Sequence, residues 1–511
     1  MVALTKDQAA AMVTSLSNKL RARAQEIEAT RNAYEGDLPL AFASPDFRRF
    51  FAGRYEQFSD NWVGVVADSP TERLKPIGFR LPGAKASELD DDLWRVWQTN
   101  GSDADCGLAF LDAIIGRRAF AMVWGSDDEP DTPEITFESP TEAIVAYEPG
   151  SRRKRAAGLK LWRDEDARLE FATLYLPDEI WRFQRPTAHL PETQLYVPPA
   201  VLLDFGQWQL RDDPAEPMNP KPNPLGVVPL VELPNRPLLA RDPISDVHGV
   251  LAMQHAINLL WSELFTAADF AAWPQRVVMG QARPKVPILD ANGQKIGERT
   301  VDVDKLSIDK LLWLENPAAK IGEWQAATLS VFTDTIEVAV GHIAAQTRTP
   351  QHYLIGKMAN LSGDALKAAE TGLVKKCEEK QLYFGQSLRE VFSLVALAQG
   401  NAAKAKQVLA GTLRWKDAES RSEAQMADAL LKLKQLGFPV QFLVERYGLE
   451  SPEVERVMQL IAGEKQADAE AMLSASLSAL GDKPAGPVDP FTEPGAQQPA
   501  VGEPVTAGAG G

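Results

Sequence analysis

The amino-acid sequence predicts an α+β fold in which long helices alternate with groups of short antiparallel strands. Between residues 117 and 185, apolar and polar side chains alternate with a period of two, which is typical of strands with one buried face. Two helical patterns, at 244–271 and 327–346, enclose a short insert with strand and turn signals. Beyond residue 362, apolar side chains recur at near-heptad spacing for about nine turns, where about three turns are usual. A helix of that length bends, spans a domain boundary or packs beside copies of itself.

The composition is that of an ordinary globular protein with a strong negative charge. The 511 residues, 45% of them hydrophobic and 24% charged, leave room for about three or four domains. A formal net charge of −16 argues against a protein that grips nucleic acid through a basic face. Two cysteines, Cys106 and Cys377, lie far apart, and we expect both to be reduced core residues of a protein made in a cytoplasm.

No segment predicts export or membrane insertion. The N-terminal residues form an amphipathic helical pattern without the continuous apolar stretch of a signal peptide. No apolar run approaches the roughly 18 residues that are needed to cross a bilayer. We therefore expect a soluble protein.

The N-terminal part combines helices with a meander of strands. A helix is predicted over residues 5–36 and further helical pieces before residue 116. The acidic run Asp90 to Asp92 is a weak metal-site candidate, because consecutive helical residues point in different directions and acids favour the first turn. The basic cluster Arg152 to Arg155 falls between two predicted strands, where a solvated hairpin tip is favoured over a contact surface.

The middle of the chain predicts a domain crossing, a long helix and a strand-rich insert. Residues 212–243 are rich in proline and should run between domains. In the helix 244–271, Asn258 lies beside the apolar stripe, where a polar side chain could fix the register between subunits. His248 and His255 have no carboxylate or cysteine partner spaced to complete a metal site.

The insert 272–326 contains a run from Asp290 that resembles the start of a calcium loop. The twelfth position of that run is not glutamate, as a calcium loop requires. The Asn-Gly pair within it predicts a hairpin turn instead.

A polar loop over 347–361 separates the next two helices. Pro350 stops the helix 327–346, because the residue before a proline is pushed out of the α region. Ser362 is a good N-cap for the long helix at 362–400. We expect the loop backbone to move freely while both helices stay packed, because its apolar side chains are few: Tyr353, Leu354 and Ile355.

The C-terminal part predicts three helices within 401–480 and a disordered tail over 481–511, which is rich in proline, glycine and alanine. The helix spacing has some likeness to a helix-turn-helix module. Its last helix carries Glu453, Glu455 and one arginine, which makes it a poor phosphate partner.

The sequence has no phosphate-binding loop, nucleophile elbow or metal-ligand motif. We expect no enzymatic activity, no cofactor and no metal.

Four stretches of the sequence resemble a known family when taken in order. They are NWVGVVADSPTERLKPIGFR, SDVHGVLAMQHAINLLWSELFTAADF, IAAQTRTPQHYLIG and NLSGDALKAAETGLVKK. The chain resembles, over roughly 38–460, the portal (head-to-tail connector) proteins of tailed double-stranded DNA bacteriophages, in their siphophage or actinophage-like branch. The resemblance implies a portal-type fold with long stem helices, a β-rich wing and clip, and a helical crown. The implied segments are a wing at 1–243, stem helices at 244–271 and 327–346, a clip at 272–326, a tunnel loop at 347–361, a long wing helix at 362–400 and a crown at 401–480.

The resemblance also implies a function without catalysis. Portal proteins form rings, of twelve subunits in the family, at one capsid vertex, and DNA passes along the axis without sequence-specific contacts. The implied partners are further copies of the chain, the large terminase ATPase, the major capsid or scaffolding protein, and a neck or adaptor protein. The implied location is the virion, after assembly in the host cytoplasm.

The resemblance assigns candidate residues to two of these segments. The tunnel-loop residues expected to face DNA are Thr347, Arg348, Thr349, Gln351, His352, Lys357 and Asn360. The clip residues expected to dock the terminase and neck proteins are Arg283, Lys285, Lys295 and Glu298. The alternative hypothesis is a helical adaptor or DNA-binding protein that uses the helix-turn-helix-like C-terminal region.

Overall fold

The structure, a computed structural model, describes most of the chain and divides it into two compact units, residues 1–451 and 452–511. The described residues are 4–40, 42, 44–45, 58–84, 89–126, 129–187, 207–212, 214, 217–239, 241–272, 276–282, 285–289, 293–300, 311–314, 316–318, 328–356, 363–419, 423–447, 449 and 451–481.

Helices and strands alternate along the chain, as the predicted α+β class requires. The helices are α1 (Lys6–Glu35), α2 (Trp62–Thr71), α3 (Asp91–Thr99), α4 (Ser102–Gly116), α5 (Leu251–Ala272), α6 (Ser330–Thr347), α7 (Gln351–Ile355), α8 (Gly363–Ala398), α9 (Ala402–Val408), α10 (Glu423–Gln435), α11 (Val440–Tyr447) and α12 (Ser451–Gly481).

The strands fall into several small sheets. They are β1 (Pro76–Arg80), β2 (Arg118–Trp124), β3 (Glu134–Glu138), β4 (Ala143–Tyr147), β5 (Arg155–Asp164), β6 (Leu169–Tyr175), β7 (Glu179–Pro186), β8 (Gln209–Leu210), β9 (Lys221–Pro222), β10 (Leu230–Pro234), β11 (Arg276–Met279), β12 (Lys285–Leu289), β13 (Lys295–Thr300), β14 (Leu311–Leu314) and β15 (Thr412–Trp415). Strands β4 to β8 follow one another in an antiparallel sheet whose strand β7 also pairs with β9, and β2 lies between β3 and β10.

Helix α1 covers one face of the sheet that contains β4 to β8. Thr5 and Gln8 form a capping box at its start, and Gly36 ends it in the left-handed conformation with φ of 88°. Its buried residues Val13, Leu16 and Leu20 pack on apolar side chains of the sheet. The helix and the period-two strands predicted for this region are therefore confirmed.

The main core forms around α8, whose 36 residues make it the longest helix described here. Phe384, Leu388, Val391 and Val395 are all fully buried, which accounts for the near-heptad spacing of apolar residues in the sequence. They share one cluster with side chains of α2, α3 and α4 and of the strands β2 and β10. The long helix thus lies inside the core of the first unit.

The segment after α8 contains a strand where the sequence analysis predicted only helix. Strand β15 pairs antiparallel with β1, more than 300 residues earlier in the chain. The pairing is close, because a Cβ on Gly411 would lie 2.6 Å from the Phe79 ring and 2.8 Å from the Arg80 carbonyl oxygen. Residues 412–415 are therefore joined to the N-terminal part of the fold.

Asn258 has a role within its own chain. It is fully buried, accepts a hydrogen bond from the backbone N–H of Asp60 at 3.1 Å, and accepts another from Gln254 at 3.1 Å. Gln254 in turn accepts from the backbone N–H of Trp62 at 2.9 Å. The register-fixing residue that we placed between subunits instead joins α5 to the start of α2.

Both cysteines are buried and unpaired, as predicted. Burial raises the pKa of the Cys106 thiol to about 12 and that of Cys377 to about 11. Neither thiol is therefore a nucleophile near neutral pH.

The acidic run before α3 is an ordinary helix start. Asp90 is the N-cap residue and accepts a hydrogen bond from the backbone N–H of Leu93. Lys404, on α9, forms ion pairs with Asp90 at 3.0 Å and with Asp92 at 2.9 Å. The carboxylates therefore join two helices.

A buried charge cluster joins α8 to the segment that precedes α5. The Asp246 carboxylate is 1% exposed and lies 2.9 Å from the ammonium groups of both Lys376 and Lys380. Asn235, just after β10, donates to the Asp246 carboxylate at 3.0 Å and accepts from Lys380. Burial alone would raise the pKa of Asp246, but the two ammonium groups hold that pKa well below its usual range.

We expect Asp246→Asn to destabilise the protein by about 3–5 kcal/mol, because two lysine charges would stay buried without an anion. Chemical denaturation at neutral pH measures the free energy of unfolding. The matched control Asp428→Asn breaks an exposed pair with Lys432 and should change stability by no more than about 0.5 kcal/mol.

The pH dependence of this difference is a second readout. A carboxyl group with a depressed folded pKa contributes stability that is present above its unfolded pKa of about 3.9 and is lost as pH falls below it. The gap between wild type and Asp246→Asn should therefore shrink below about pH 4. An Asp246→Asn variant as stable as wild type at pH 7 would contradict the assigned role of the cluster.

Candidate functional site: the 347–356 loop and the 276–314 insert

The loop begins where α6 ends in a left-handed residue. Arg348 has φ of 56°, and the backbone N–H of Thr349 donates to the carbonyl oxygen of Ala344 at 3.0 Å. This closure satisfies carbonyl groups that the end of a helix leaves without partners. Lys376 of the buried charge cluster donates to the carbonyl oxygen of Thr347 at 3.1 Å. The base of the loop is therefore held by the same lysine that pairs with Asp246.

Two residues that we expected to face DNA are turned into the fold. Thr347 is 7% and Thr349 is 4% exposed. The Thr347 hydroxyl donates to the carbonyl oxygen of Ile343 at 2.8 Å and lies 2.9 Å from the Thr349 hydroxyl. Their polar side chains serve the end of α6 in the single chain, and their contact with DNA stays a prediction.

The loop is also less free than its polar sequence indicated. Residues 351–355 form the short helix α7, and Gly356 ends it with φ of 64°. Leu354 is 3% exposed and belongs to the main core, against which Ile355 also packs. Burying one leucine side chain contributes about 2 kcal/mol, so the core holds α7 in place.

Tyr353 fixes the outer side of α7 through a polar triad. Arg73, near the end of α2, donates to the Tyr353 hydroxyl at 2.7 Å, and that hydroxyl donates to Glu370 of α8 at 3.2 Å. Arg73 also pairs with Glu370 at 3.3 Å. Burial raises the pKa of Tyr353, so the phenol stays protonated and keeps its donor. Sequence analysis missed Arg73 and Glu370, because no local pattern shows that residues about 300 positions apart will meet.

Three of the expected loop residues are accessible in the described chain. Arg348 and Gln351 are exposed and His352 is half-buried, with its ring 4.7 Å from that of Tyr353. Arg348 lies 3.8 Å from Glu379, and both side chains are largely exposed. Lys357 and Asn360 lie outside the described residues. Among the described loop residues, the accessible face is therefore small and polar, with Arg348 as a permanent cation.

The insert presents charged and apolar side chains together on a hairpin. Strands β12 and β13 pair antiparallel on either side of Gly293, as the predicted Asn-Gly turn requires, although Asp290 and Asn292 lie outside the described residues. Lys285 is 3.8 Å from Glu298, which also pairs with Lys295. All three side chains are about half exposed, and Arg283 lies outside the described residues.

Large apolar side chains on the same hairpin are exposed. Val286 is 55%, Ile288 is 45% and Ile296 is 67% exposed. An isolated two-stranded hairpin is at best marginally stable in water. These residues are therefore available for contacts outside their own chain.

Two kinds of feature are absent from the described residues. No group of histidine, cysteine and acidic side chains among them could hold a metal ion. No helix in the same part of the chain is long and apolar enough to span a membrane. The helix that we compared with a DNA-reading helix belongs to α12, which runs for 31 residues through the second unit.

Comparisons with known proteins place the chain in a family. Residues 16–471 match the family described as "Phage portal protein, SPP1 Gp6-like". The portal protein of Mycobacterium phage L5 is 28% identical over 383 residues, which cover 72% of this chain and 71% of that protein. The portal protein of Mycobacterium phage D29 is 27% identical over 384 residues, with the same coverage. The chain therefore belongs to the SPP1 Gp6-like phage portal protein family, whose members are structural, non-enzymatic components of the virion.

Proposed function

We propose that the chain assembles into a ring of twelve subunits at one capsid vertex, and that DNA passes along the ring axis during packaging and ejection. The observation that carries this proposal is the family match over residues 16–471. It includes the two long helices α5 and α6, the insert between them and the loop after them.

The surface of the single chain supports assembly. Helix α6 buries Ile336, Val340 and Ile343, yet Val331 and Val338 on the same helix are 61% and 59% exposed. Val331 and Val338 are seven residues apart, so they lie on one face of the helix. Together with the exposed apolar residues of β12 and β13, this face is the kind of surface that an oligomer covers.

The charge distribution supports a channel through which DNA slides. Each phosphate contact adds salt-dependent affinity, so a strongly basic lining would retard movement. The chain carries a net charge of −16, and the loop exposes Arg348 among polar residues. We infer that Arg348, Gln351 and His352, with Lys357 and Asn360, form a narrow polar collar with few cations.

The partners follow from the same proposal. The sequence has no phosphate-binding loop, so the energy for moving DNA comes from a partner, which we identify as the large terminase ATPase. We place the terminase, and later a neck or adaptor protein, on the clip formed by the 272–326 insert. The major capsid or scaffolding protein would contact the outside of the ring, and assembly would take place in the host cytoplasm.

Purified protein should contain particles of about 670 kDa, twelve times the chain mass of 56.0 kDa. Size-exclusion chromatography with light scattering measures this mass, and electron micrographs of the same fraction should show rings with a central opening. Protein that remains at the mass of one chain at every concentration, with and without capsid proteins, would overturn the ring.

Reversing the charges of the clip should leave the ring intact and abolish DNA packaging. The variant changes Arg283, Lys285 and Lys295 to Glu and Glu298 to Lys. The described ion pairs are exposed and contribute at most about 1 kcal/mol each, and reversing both partners keeps their charges opposite, so the hairpin should stay folded. The contrasting variant Ile288→Ser with Ile296→Ser removes exposed apolar contacts and should weaken the ring. Failure of the charge-reversed variant to assemble would show that these charges serve oligomerisation.

Changing the accessible loop residues should impair DNA movement without affecting assembly. Arg348→Glu with Gln351→Glu and His352→Glu adds negative charge where DNA passes, so we expect at least about tenfold fewer filled capsids. The control Lys19→Glu with Lys434→Glu reverses exposed charges outside the loop and should package normally. The variants avoid Leu354, whose removal would open the core. Normal packaging and stable DNA retention by the loop variant would disprove its DNA-facing role.

A further inference from the structure

A cleft on the first unit lies between the tip of the β4–β5 hairpin and the corner where α8 meets α9. Its volume is about 690 Å³. Arg153 and Arg155 line it from the hairpin, Arg389 and Leu397 from α8, and Lys406 from α9. The hairpin is the one that carries the basic cluster singled out in the sequence, so this cluster borders a cavity as well as solvent.

The floor of the cleft is apolar. Val227 and Leu397 are half-buried there, Leu394 and Ala405 are buried, and Leu409 is 51% exposed at the margin. Ser393, a buried polar side chain that lines the cleft, already has a partner. Ser393 donates to the carbonyl oxygen of Ala405 at 3.0 Å, which leaves an apolar surface beneath a polar rim.

Among the described residues, three cations of the rim have no carboxylate partner. Arg155 is neutralised by Glu390 at 2.6 Å. Arg153 and Lys406 are exposed, and Arg389 donates only to the carbonyl oxygen of Gly411, at 3.4 Å. Within the part of the chain that the structure describes, we find no carboxylate paired with these three cations. A protein with a net charge of −16 thus has a locally positive rim around an apolar floor.

We propose that this cleft binds an acidic amphipathic helix of another protein. Apolar side chains on one face of such a helix would fill the floor, as in other helix-in-groove complexes. Aspartate or glutamate side chains beside that face would meet Arg153, Arg389 and Lys406. A small anion fits less well, because the free cations come from three separate elements on an accessible rim instead of converging on one buried point. A DNA strand fits less well, because an apolar floor offers nothing to phosphates.

The first experiment asks which peptides the full-length purified protein binds. An array of overlapping peptides of about 15 residues covers the proteins encoded beside this chain in its genome. We expect the bound peptides to be acidic and to carry apolar residues at helical spacing. An absence of bound peptides, or bound peptides without an acidic preference, would overturn the proposal.

The second experiment tests the cleft with the tightest peptide, labelled with fluorescein and titrated by anisotropy. Arg153→Glu with Arg389→Glu and Lys406→Glu should raise the Kd at least about tenfold. The control Lys19→Glu with Lys367→Glu and Lys434→Glu makes the same charge change on exposed side chains elsewhere and should leave the Kd unchanged. Leu409→Ser should weaken binding through the floor. Equal Kd values for wild type and the rim variant would refute the site.

A charge-swapped peptide completes the test. Replacing its acidic residues with lysine should abolish binding to wild type and restore binding to the rim variant. A labelled duplex of about 20 base pairs serves as the competing ligand. Tighter binding of the duplex than of the peptide, lost in the rim variant, would assign the cleft to nucleic acid. None of these outcomes depends on the ring or on DNA packaging.

Discussion

Asp246 is a single buried carboxylate that four parts of the first unit share. It pairs with Lys376 and Lys380 of α8, accepts from Asn235 at the end of β10, and lies just before α5. Lys376 also reaches the carbonyl oxygen at the end of α6. Buried charges are costly unless each one is paired, so the elements that bring these groups together cannot be displaced separately. The cluster therefore fixes the ends of both long helices against α8.

This constraint explains how the loop can keep its backbone position although its exposed side chains can vary. At its base, Lys376 and the paired hydroxyls of Thr347 and Thr349 hold the helix end. A few residues later, Leu354 enters the core. Between these two anchors, Arg348, Gln351 and His352 lie on the accessible side of the loop. The polar face of the loop can thus be set by its function while its backbone position is set by the core.

The sequence predicted the elements better than the contacts between them. The helical pattern over residues 5–36, the near-heptad spacing after residue 362 and the period-two strands are local signals, and the structure confirms them. The pairing of β15 with β1, and the meeting of Arg73 with Tyr353 and Glu370, join residues about 280–340 positions apart. No periodicity encodes such contacts. For the same reason, the sequence did not show that Thr347, Thr349 and Asn258 have buried hydrogen-bond partners within the chain.

The surfaces to which we assign partners share a physical property that separates them from the core. The insert, the loop and the cleft rim all carry exposed charges, and exposed ion pairs such as Lys285 with Glu298 and Arg348 with Glu379, both at 3.8 Å, are weak. Replacing these exposed charges changes what the chain binds at little cost in folding free energy. Removing the Asp246 carboxylate, in contrast, leaves two buried cations without an anion. Partner recognition and stability therefore depend on different charges. A portal protein can adapt its exposed surfaces to its own partners while the long helix and the strands around it keep one arrangement.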